Sequence, residues 1–476
     1  MSHIVPAEGR ENYGVGTSLR GRSYRRHAVW SRGAVKAFFH ERDGPEVLGG
    51  FNGKTERPEE KEEPPLLKQL GPGLITGAAD DDPSGIATYS QAGAQFGFSL
   101  LWTMLLSYPL MCAIQIVSAR IGRVTGCGLA ANLRAVWPRP VVFLLIVLLF
   151  AANTINIGAN LAAMGASAEL ATGVPGRPLA IGFAILSLLL QIFVSYHRYA
   201  SYLKWLTMVL LSYVAVLFVV KVDWGAAAYG LFVPTIGKSG DTFTVIVAIL
   251  GTTISPYLFF WQTSQEVEEI EEHEDARPLK RAPRQAKREL KRIRFDTFVG
   301  MAVSTLVAVA IIMSTAATLH ASGKTDIGTA ADVAEALRPI AGDFAFVLFS
   351  LGIIGTGMLS IPVLAGSAAY GASECCGWAC GLDNKPGQAA GFYTVIVATT
   401  LSGLVMEFLP IDPIKALFWS AVINGFVAVP IMVSMMMVVS RSAQMKQFTA
   451  SPLLLVVGWA ATGVMALAAG AMLIFH

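Results

Sequence analysis

The chain has 476 residues, of which 54% are hydrophobic and 14% are charged, and its mean hydropathy is +0.54. Soluble domains carry about one-quarter charged residues, so this composition excludes an ordinary soluble protein and predicts an integral membrane protein. The net charge of +3 says little, because in a membrane protein the placement of Lys and Arg matters more than their sum.

The cysteine content gives no sign of a disulfide framework, because the number is odd and the spacings are irregular. The five cysteines are Cys112, Cys127, Cys375, Cys376 and Cys380. The last three could in principle bind a soft metal ion, but no histidine accompanies them. We therefore expect thiols at a helix end.

Residues 1–65 are polar and rich in arginine, and they lack an apolar core of the length that a secretory signal needs. We expect a mobile cytoplasmic tail there and a membrane domain over residues 66–476. Apolar runs of about 20 residues, enough to cross about 30 Å of hydrocarbon, recur along that domain. They predict eleven spans, near 69–95 (broken), 99–121, 141–171, 178–196, 200–221, 242–269 (broken), 296–317, 340–370, 388–407, 413–439 and 452–474.

The first predicted span contains three consecutive carboxylates and a proline, Asp80-Asp81-Asp82-Pro83. Proline removes a backbone donor and the nearby glycines weaken helix continuity, so the helix must break and its freed carbonyls must find partners inside the protein. A carboxylate at membrane depth costs about 3 kcal/mol or more unless it is paired. We predict that Asp82 holds a metal cation. Asp80 and Asp81 are expected either to attract cations near a water-filled vestibule or to hydrogen-bond helix ends.

The sixth predicted span has a matching break, because glycine and proline lie in its middle at Gly251-Thr-Thr-Ile-Ser255-Pro256-Tyr257. Two interrupted spans, five spans apart, predict two inverted five-helix repeats. We expect the repeats over about 69–221 and 242–439, with an extra helix over about 452–474. Such a fold places its substrate site at mid-membrane, where the two breaks meet.

The basic residues predict the orientation, because cytoplasmic loops carry an excess of Lys and Arg. The tail before the first span and the loop after the sixth span are both basic, and six crossings place them on the same side. The connection over residues 92–99 has neither Lys nor Arg. We expect the amino terminus in the cytoplasm and His476 outside. The loop over residues 266–294 is expected to be a solvated connector or to contact anionic lipid.

The residues at the two breaks offer oxygen ligands. Asp82 offers a carboxylate, Ser84 and Ser255 offer hydroxyls, and Ala79 and Thr252 offer backbone carbonyls. Such a shell suits Mg²⁺ or Mn²⁺, and Mg²⁺ would keep several of its waters. For Ser255 the alternative is a small residue that lets two helices approach closely. We expect these ions as cargo and the lipid bilayer as partner, with no catalytic residue, cofactor or nucleic acid; the sequence does not give the oligomeric state.

Three segments resemble the start of natural resistance-associated macrophage proteins (Nramp): Gly71-Pro72-Gly73, Asp82-Pro83, and Gln-Phe-Gly-x-x-Leu-Leu-Trp from Gln95 to Trp102. Residues 251–262 match the family's sixth helix in position and in proline placement. The resemblance extends over all eleven spans from about residue 66. It implies a divalent-metal transporter with an all-α LeuT-type fold of two inverted five-helix repeats plus an eleventh helix.

The chain departs from the family at both breaks. The family's first-helix motif Asp-Pro-Gly-Asn reads Asp82-Pro83-Ser84-Gly85 here, so the asparagine ligand is missing. The sixth-helix motif Met-Pro-His reads Ser255-Pro256-Tyr257, so the methionine that favours softer metals is also missing. Only Asp82 and the carbonyls of Ala79 and Thr252 carry over as ligands, and Ser255 takes the methionine position with different chemistry.

The third predicted span departs as well. Family members that co-transport protons have acidic residues in its middle, whereas this chain has Asn153, Asn156 and Asn160 and no acid until Glu169. Amides cannot relay protons, so the pattern is similar to the Nramp-related magnesium transporter branch and implies hard-ion uptake without proton coupling.

We therefore expect a transporter, not an enzyme, that takes Mg²⁺ and also Mn²⁺ into the cytoplasm by alternating access. One alternative is a proton-coupled Mn²⁺ or Fe²⁺ transporter of the Nramp type. Another is a sodium-coupled symporter for a small organic substrate, but a substrate carboxylate needs helix amino termini without adjacent acids. An intramembrane aspartyl hydrolase would need a second buried acid beside Asp82.

Overall fold

A computed structural model describes residues 76–77, 79–194, 208–237, 240–273, 275–382 and 384–475. These residues form helices joined by turns and short irregular segments. The predicted tail over residues 1–65, the Gly71-Pro72-Gly73 match and the start of the predicted fifth span lie outside the described residues.

The helices are numbered in chain order. They are α1 (Pro83–Phe96), α2 (Trp102–Thr125), α3 (Leu129–Leu133), α4 (Arg139–Thr172), α5 (Gly176–Phe193), α6 (Leu211–Val216), α7 (Trp224–Phe232), α8 (Gly240–Thr253), α9 (Pro256–Glu272), α10 (Ala286–Thr318), α11 (Ala330–Ala334), α12 (Arg338–Ala341), α13 (Ala345–Cys376), α14 (Ala390–Leu404), α15 (Pro413–Ser440), α16 (Ser442–Met445) and α17 (Pro452–Phe475).

Within the described residues, nine helical segments are long and apolar enough to cross a membrane. They correspond to nine of the eleven predicted spans, with α8 and α9 together forming the sixth. The first and fifth predicted spans are the other two, and both begin outside the described residues. The multi-pass character that the composition predicted is therefore confirmed.

Two helices have bounds that differ from the sequence prediction. The seventh span was predicted at 296–317, but α10 already begins at Ala286 because its charged first turns are paired with neighbouring helices. The eighth span was predicted at 340–370, but α13 covers Ala345–Cys376. Gly342 and Gly377 have φ values of 54° and 74°, which favour glycine and end the preceding short helix and α13.

The two broken helices pack closely, backbone to backbone, on their neighbours. A Cβ atom at Gly77 would lie 2.5 Å from the carbonyl oxygen of Gly300 in α10. A Cβ atom at Gly251 would lie 2.1 Å from the carbonyl oxygen of Ala421 in α15. Any larger residue would push these helices apart, so glycine holds both breaks against the rest of the bundle.

A buried ion-pair cluster joins the ends of α2, α9 and α10. Arg292 Nη2 lies 2.6 Å from Glu266 Oε2, and Arg292 Nε lies 3.1 Å from Glu289 Oε2. Arg123 Nη2 lies 3.0 Å from the same Glu289 oxygen. These four residues, here called the ion-pair cluster, are buried or nearly so, so the three helix ends are fixed to one another.

Candidate functional site

The first break lies between helical residues 79–80 and the start of α1 at Pro83. Asp82 is the N-cap of α1, with extended backbone dihedral angles of φ −74° and ψ 169°. Its Oδ1 accepts hydrogen bonds from Gly85 N at 2.9 Å and from Ser84 Oγ at 2.5 Å. Proline suits the first helical position because the amide it lacks would have no partner there. The break that the sequence predicted is therefore present, with Asp82 at its centre.

The other carboxylate oxygen of Asp82 faces the middle of α4. Asn156 Nδ2 donates to Asp82 Oδ2 at 3.3 Å, and Asn156 Oδ1 accepts from Ser420 Oγ of α15 at 3.2 Å. Asp82 is 1% exposed, and no ion pair joins it to a Lys, Arg or His among the described residues. A buried carboxylate without a basic partner has its charge balanced only by a cation or a proton.

The second break lies between α8 and α9. Ser255 is the N-cap of α9, and its Oγ lies 2.8 Å from the carbonyl oxygens of both Gly251 and Thr252. Pro256 has no backbone N–H, so the Thr252 carbonyl lacks the donor that a continuous helix would provide four residues on. The Ser255 hydroxyl donates to this carbonyl instead. A hydroxyl that donates its hydrogen keeps its lone pairs, so Ser255 Oγ still presents an acceptor.

The two breaks touch each other. Tyr257 Oη donates to the carbonyl oxygen of Ala79 at 3.4 Å. A Cβ atom at Gly85 would lie 3.3 Å from Thr252 Oγ1, so the first break lies in close contact with the second at this position. The five predicted ligand residues all belong to this buried region: Ala79, Asp82, Ser84, Thr252 and Ser255. Their role as metal ligands stays a prediction.

Asp80 and Asp81 contact the middle of α10. Ser304 Oγ lies 2.8 Å from Asp80 Oδ2 and 3.0 Å from Asp81 Oδ1. One hydroxyl hydrogen serves only one of these carboxylates at a time, and Asp80 Oδ1 is buried with no hydrogen-bond partner among the described residues. From the sequence we expected these two carboxylates near a water-filled vestibule or bonded to helix ends. Their partner is instead a serine in the middle of a long helix.

The three asparagines of α4 are buried and bonded. Asn153 Nδ2 donates at 2.8 Å to both Leu364 O and Ser367 Oγ of α13. Asn160 Nδ2 donates to Ser360 Oγ of the same helix at 3.2 Å. Together with Asn156 they form a row of amides along α4 beside the site. The three asparagines were evident from the sequence, but their partners were not.

A cavity of about 200 Å³ lies beyond the first break, between α1 and the first turns of α8 and α15. Ala87, just over one helical turn from Pro83, lines it together with polar and charged side chains: Gln91, Gln95, Asp241, Asp326 and Lys415. The ion-pair cluster lies at the opposite end of the bundle, where α9 ends and α10 begins. The cavity thus lies on one side of the breaks and the ion-pair cluster on the other, and none of the residues that line the cavity belongs to a break.

Cys375 and Cys376 are the last two residues of α13, so the helix-end position that the sequence predicted is confirmed for these two thiols. All five thiols are free of disulfide bonds. The described residues contain one compact group of possible ligands, Glu269, Glu272 and His273 at the end of α9. Glu272 and His273 are exposed, and nothing besides the charges points to an ion there.

Solved structures with the same arrangement identify the class of protein. A manganese transporter from Eremococcus coleocola, crystallised with an aromatic bis-isothiourea compound, superposes with a TM-score of 0.67 at 18% identity over 85% of each chain. MhsT in complex with L-phenylalanine superposes with a TM-score of 0.55 at 13% identity over 85% of this chain and 97% of that one. The fold is therefore the all-α LeuT type, and its apolar helices make this chain a multi-pass membrane protein.

The family follows from the sequence of the whole membrane domain. The model of the family "Nramp: Natural resistance-associated macrophage protein-like" matches residues 73–475. A relative from Caldanaerobacter subterraneus subsp. tengcongensis, the "divalent metal cation transporter MntH", is 26% identical over 407 residues, covering 83% of this chain and 89% of the relative. This chain belongs to the Nramp family.

Proposed function

We propose that this protein transports hard divalent metal ions, Mg²⁺ and also Mn²⁺, into the cytoplasm by alternating access and without proton coupling. A role in divalent-metal transport is supported by the names of its relatives, a divalent metal cation transporter and a manganese transporter. The observation that carries the proposal is the buried Asp82 carboxylate, which has no basic partner among the described residues and lies at a break that contacts the second break through Tyr257 and Ala79.

The donor set supports a hard ion. Asp82 supplies one negative charge, Ser84 and Ser255 supply hydroxyl lone pairs, and Ala79 and Thr252 supply carbonyl oxygens. Neither break contains a cysteine, methionine or histidine in its sequence. Hard ions such as Mg²⁺ and Mn²⁺ prefer oxygen ligands, whereas thioether sulfur favours softer ions. The Nramp-related magnesium transporter branch is the part of the family that this donor set fits, and no resident cofactor is required.

The side chains in the middle of α4 are the basis for proposing transport without proton coupling. Its middle presents Asn153, Asn156 and Asn160, and each amide already bonds to a neighbouring residue. An amide side chain neither gains nor loses a proton at physiological pH, so this row offers no titratable group to carry a proton away from Asp82. The membrane potential supplies the driving force instead, at about 4.6 kcal/mol per divalent ion per 100 mV, which doubles the value for a single charge.

The transport cycle that fits this geometry starts on the side where the cavity beside Ala87 lies. We assign the cavity beside Ala87 to the outside and the ion-pair cluster to the cytoplasm, because basic residues mark the cytoplasmic end. An ion that enters through the cavity reaches the two breaks while the cytoplasmic end is closed. Rocking of the bundle that contains both broken helices then opens the other side.

Ion uptake by purified protein tests the proposal. Proteoliposomes with a negative-inside potential should accumulate Mg²⁺ and Mn²⁺, as recorded by internal dyes, and liposomes containing Asp82→Asn should not. Asparagine keeps the shape and the N-cap bond but removes the charge, so it is the matched control. Uptake of Mn²⁺ or Fe²⁺ together with protons, and no uptake of Mg²⁺, would favour the proton-coupled alternative instead.

A further inference from the structure

A second cavity lies far from the two breaks in sequence, where the start of α4 meets the end of α13. Its volume is about 330 Å³, and its lining residues are Arg134, Arg139, Pro140, Phe143, Cys375 and Cys376. None of them belongs to the proposed ion site or to the cavity beside Ala87. No step of the proposed transport cycle involves this cavity.

Two arginines give the cavity its charge. Arg134 and Arg139 are exposed, and neither forms an ion pair within the described part of the chain. The nearby carboxylate of Glu374 accepts from Ala131 N of α3 at 3.1 Å, and Arg134 Nη1 makes only a 3.4 Å contact with the Glu374 backbone carbonyl. No carboxylate lines the cavity, so two guanidinium groups face a space without a counter-charge.

The cavity continues into an apolar surface along α4. Phe143 and Leu144 are 58% and 56% exposed, and Val147 and Leu148 one turn further are exposed as well. Exposed apolar side chains on a membrane-spanning helix contact hydrocarbon. Arg139 is the first residue of this helix and Arg134 follows α3 just before it. We therefore expect both arginines at the depth of the lipid headgroups, with the apolar residues following towards the membrane interior. The cavity is therefore positively charged where a lipid headgroup would lie and apolar where its acyl chain would lie.

We propose that this cavity binds the headgroup phosphate of an anionic phospholipid, with an acyl chain lying along Phe143 and Leu144. The planar guanidinium matches phosphate oxygens with paired hydrogen bonds, and a helix amino terminus such as that of α4 also favours a negative group. Free inorganic phosphate shares the headgroup chemistry but gains nothing from the apolar surface. The proposal does not depend on which ion the protein transports.

Lipid retention measures the proposed site directly. The full-length protein is purified in detergent, equilibrated with mixed micelles containing phosphatidylglycerol or phosphatidylcholine, and analysed by native mass spectrometry. The wild type should retain phosphatidylglycerol preferentially, and the double variant R134Q/R139Q should retain about 30-fold less, because each of the two basic residues near a membrane surface contributes about 1 kcal/mol. The matched control R281Q/R284Q removes the same charge from the exposed loop before α10 and should retain lipid like the wild type.

Three results would overturn the proposal. Equal lipid loss in both double variants would show general charge attraction and no site. Unchanged retention in R134Q/R139Q would place the lipid elsewhere. Displacement of phosphatidylglycerol by excess inorganic phosphate, with phosphate retained in its place, would identify a phosphate site and no lipid site.

A second measurement needs no variant and stays decisive if R134Q/R139Q does not fold. Cys376 lines the cavity and is exposed, so a bound lipid should cover its thiol. In nanodiscs, maleimide labelling of Cys376, quantified on its own peptide, should be several-fold slower with phosphatidylglycerol than with phosphatidylcholine. Cys127, which is exposed and does not line the cavity, serves as the internal control. Equal labelling of Cys376 in the two lipids would contradict the proposal.

Discussion

At the scale of single residues, Asp82 has two roles that can be separated. One carboxylate oxygen caps α1, and the other faces Asn156 in the region proposed to bind the ion. Asp82→Ala removes both the cap and the charge, and losing an N-cap costs about 1 kcal/mol. Asp82→Asn removes the charge only. We expect both variants to lose Mg²⁺ uptake, and only the alanine variant to melt at a lower temperature than the wild type.

Thermal unfolding in detergent and uptake in proteoliposomes check this pair of outcomes. Uptake by Asp82→Asn at the wild-type rate would remove the Asp82 charge from the ion site. An equal loss of stability in both variants would show that the charge, and not the cap, holds the break together.

Ser255 tests the choice between hard and soft ions. Ser255→Met replaces a hydroxyl that presents lone pairs beside the Thr252 carbonyl with a polarisable thioether. We expect Mn²⁺ or Cd²⁺ uptake to rise relative to Mg²⁺ uptake by about tenfold or more, because thioether sulfur favours softer ions. Competition assays in proteoliposomes give the ratio. An unchanged order of ions would mean that this side chain does not face the ion, while Ser255→Ala controls for loss of the hydroxyl alone.

The sequence predicted the two breaks but not the residues that pack against them. A run of acids before a proline indicates a break from sequence alone, because no continuous membrane helix accommodates it. The contacts of Asp82 with Asn156, and of Asp80 with Ser304, join residues far apart in the chain. Local patterns hold no information about which remote helix packs beside a break. The row of asparagines was visible in the sequence, but its contact with Asp82 was not.

At the scale of helices, the ion-pair cluster fixes the ends of α2, α9 and α10. Arg292 is the ion-pair partner of Glu266, whose side chain is 0% exposed. Arg292→Gln leaves that buried charge without its partner, and breaking a buried pair costs about 3–5 kcal/mol. We expect this variant to lose much of its folded fraction or to melt far below the wild type in a thermal-unfolding assay.

Arg288→Gln is the matched control for this prediction. Arg288 pairs with Glu289 of the same cluster, but its side chain is 71% exposed, and such a pair contributes about 0–1 kcal/mol. Similar melting temperatures for Arg292→Gln and Arg288→Gln would contradict the view that burial gives the cluster its strength.

The same cluster explains where the prediction of helix bounds failed. The hydropathy pattern located the apolar part of α10 but placed the start of the helix near residue 296, because the residues before it are charged. The helix continues to Ala286 because ion pairs with α2 and α9 hold its charged turns. An apolar window cannot detect a helix whose first turns are held by charge, whereas α15 and α17 match their predicted spans because they are apolar from end to end.

At the scale of the whole molecule, the orientation in the membrane is a prediction that native thiols can test. Cys127 and Cys376 are exposed and lie at the end of the bundle where the basic loop after α9 begins. A membrane-impermeant thiol reagent should label Cys127 readily in inverted vesicles and neither thiol in intact cells, because that end is assigned to the cytoplasm.

Ala321→Cys provides the opposite case, since residue 321 is exposed after α10, at its other end. It should be labelled in intact cells. Labelling of Cys127 or Cys376 from outside would reverse the orientation and, with it, the proposed direction of uptake.

We propose that a hard divalent ion crosses this protein without protons, and one recording of ion influx and pH tests this directly. Mg²⁺ influx and internal pH should be recorded together in the same proteoliposomes, with the membrane potential held negative inside. We predict Mg²⁺ influx that rises with the potential while internal pH stays constant. Acidification of the interior in proportion to ion influx would contradict it, and would show that protons pass the site without an acid in the middle of α4.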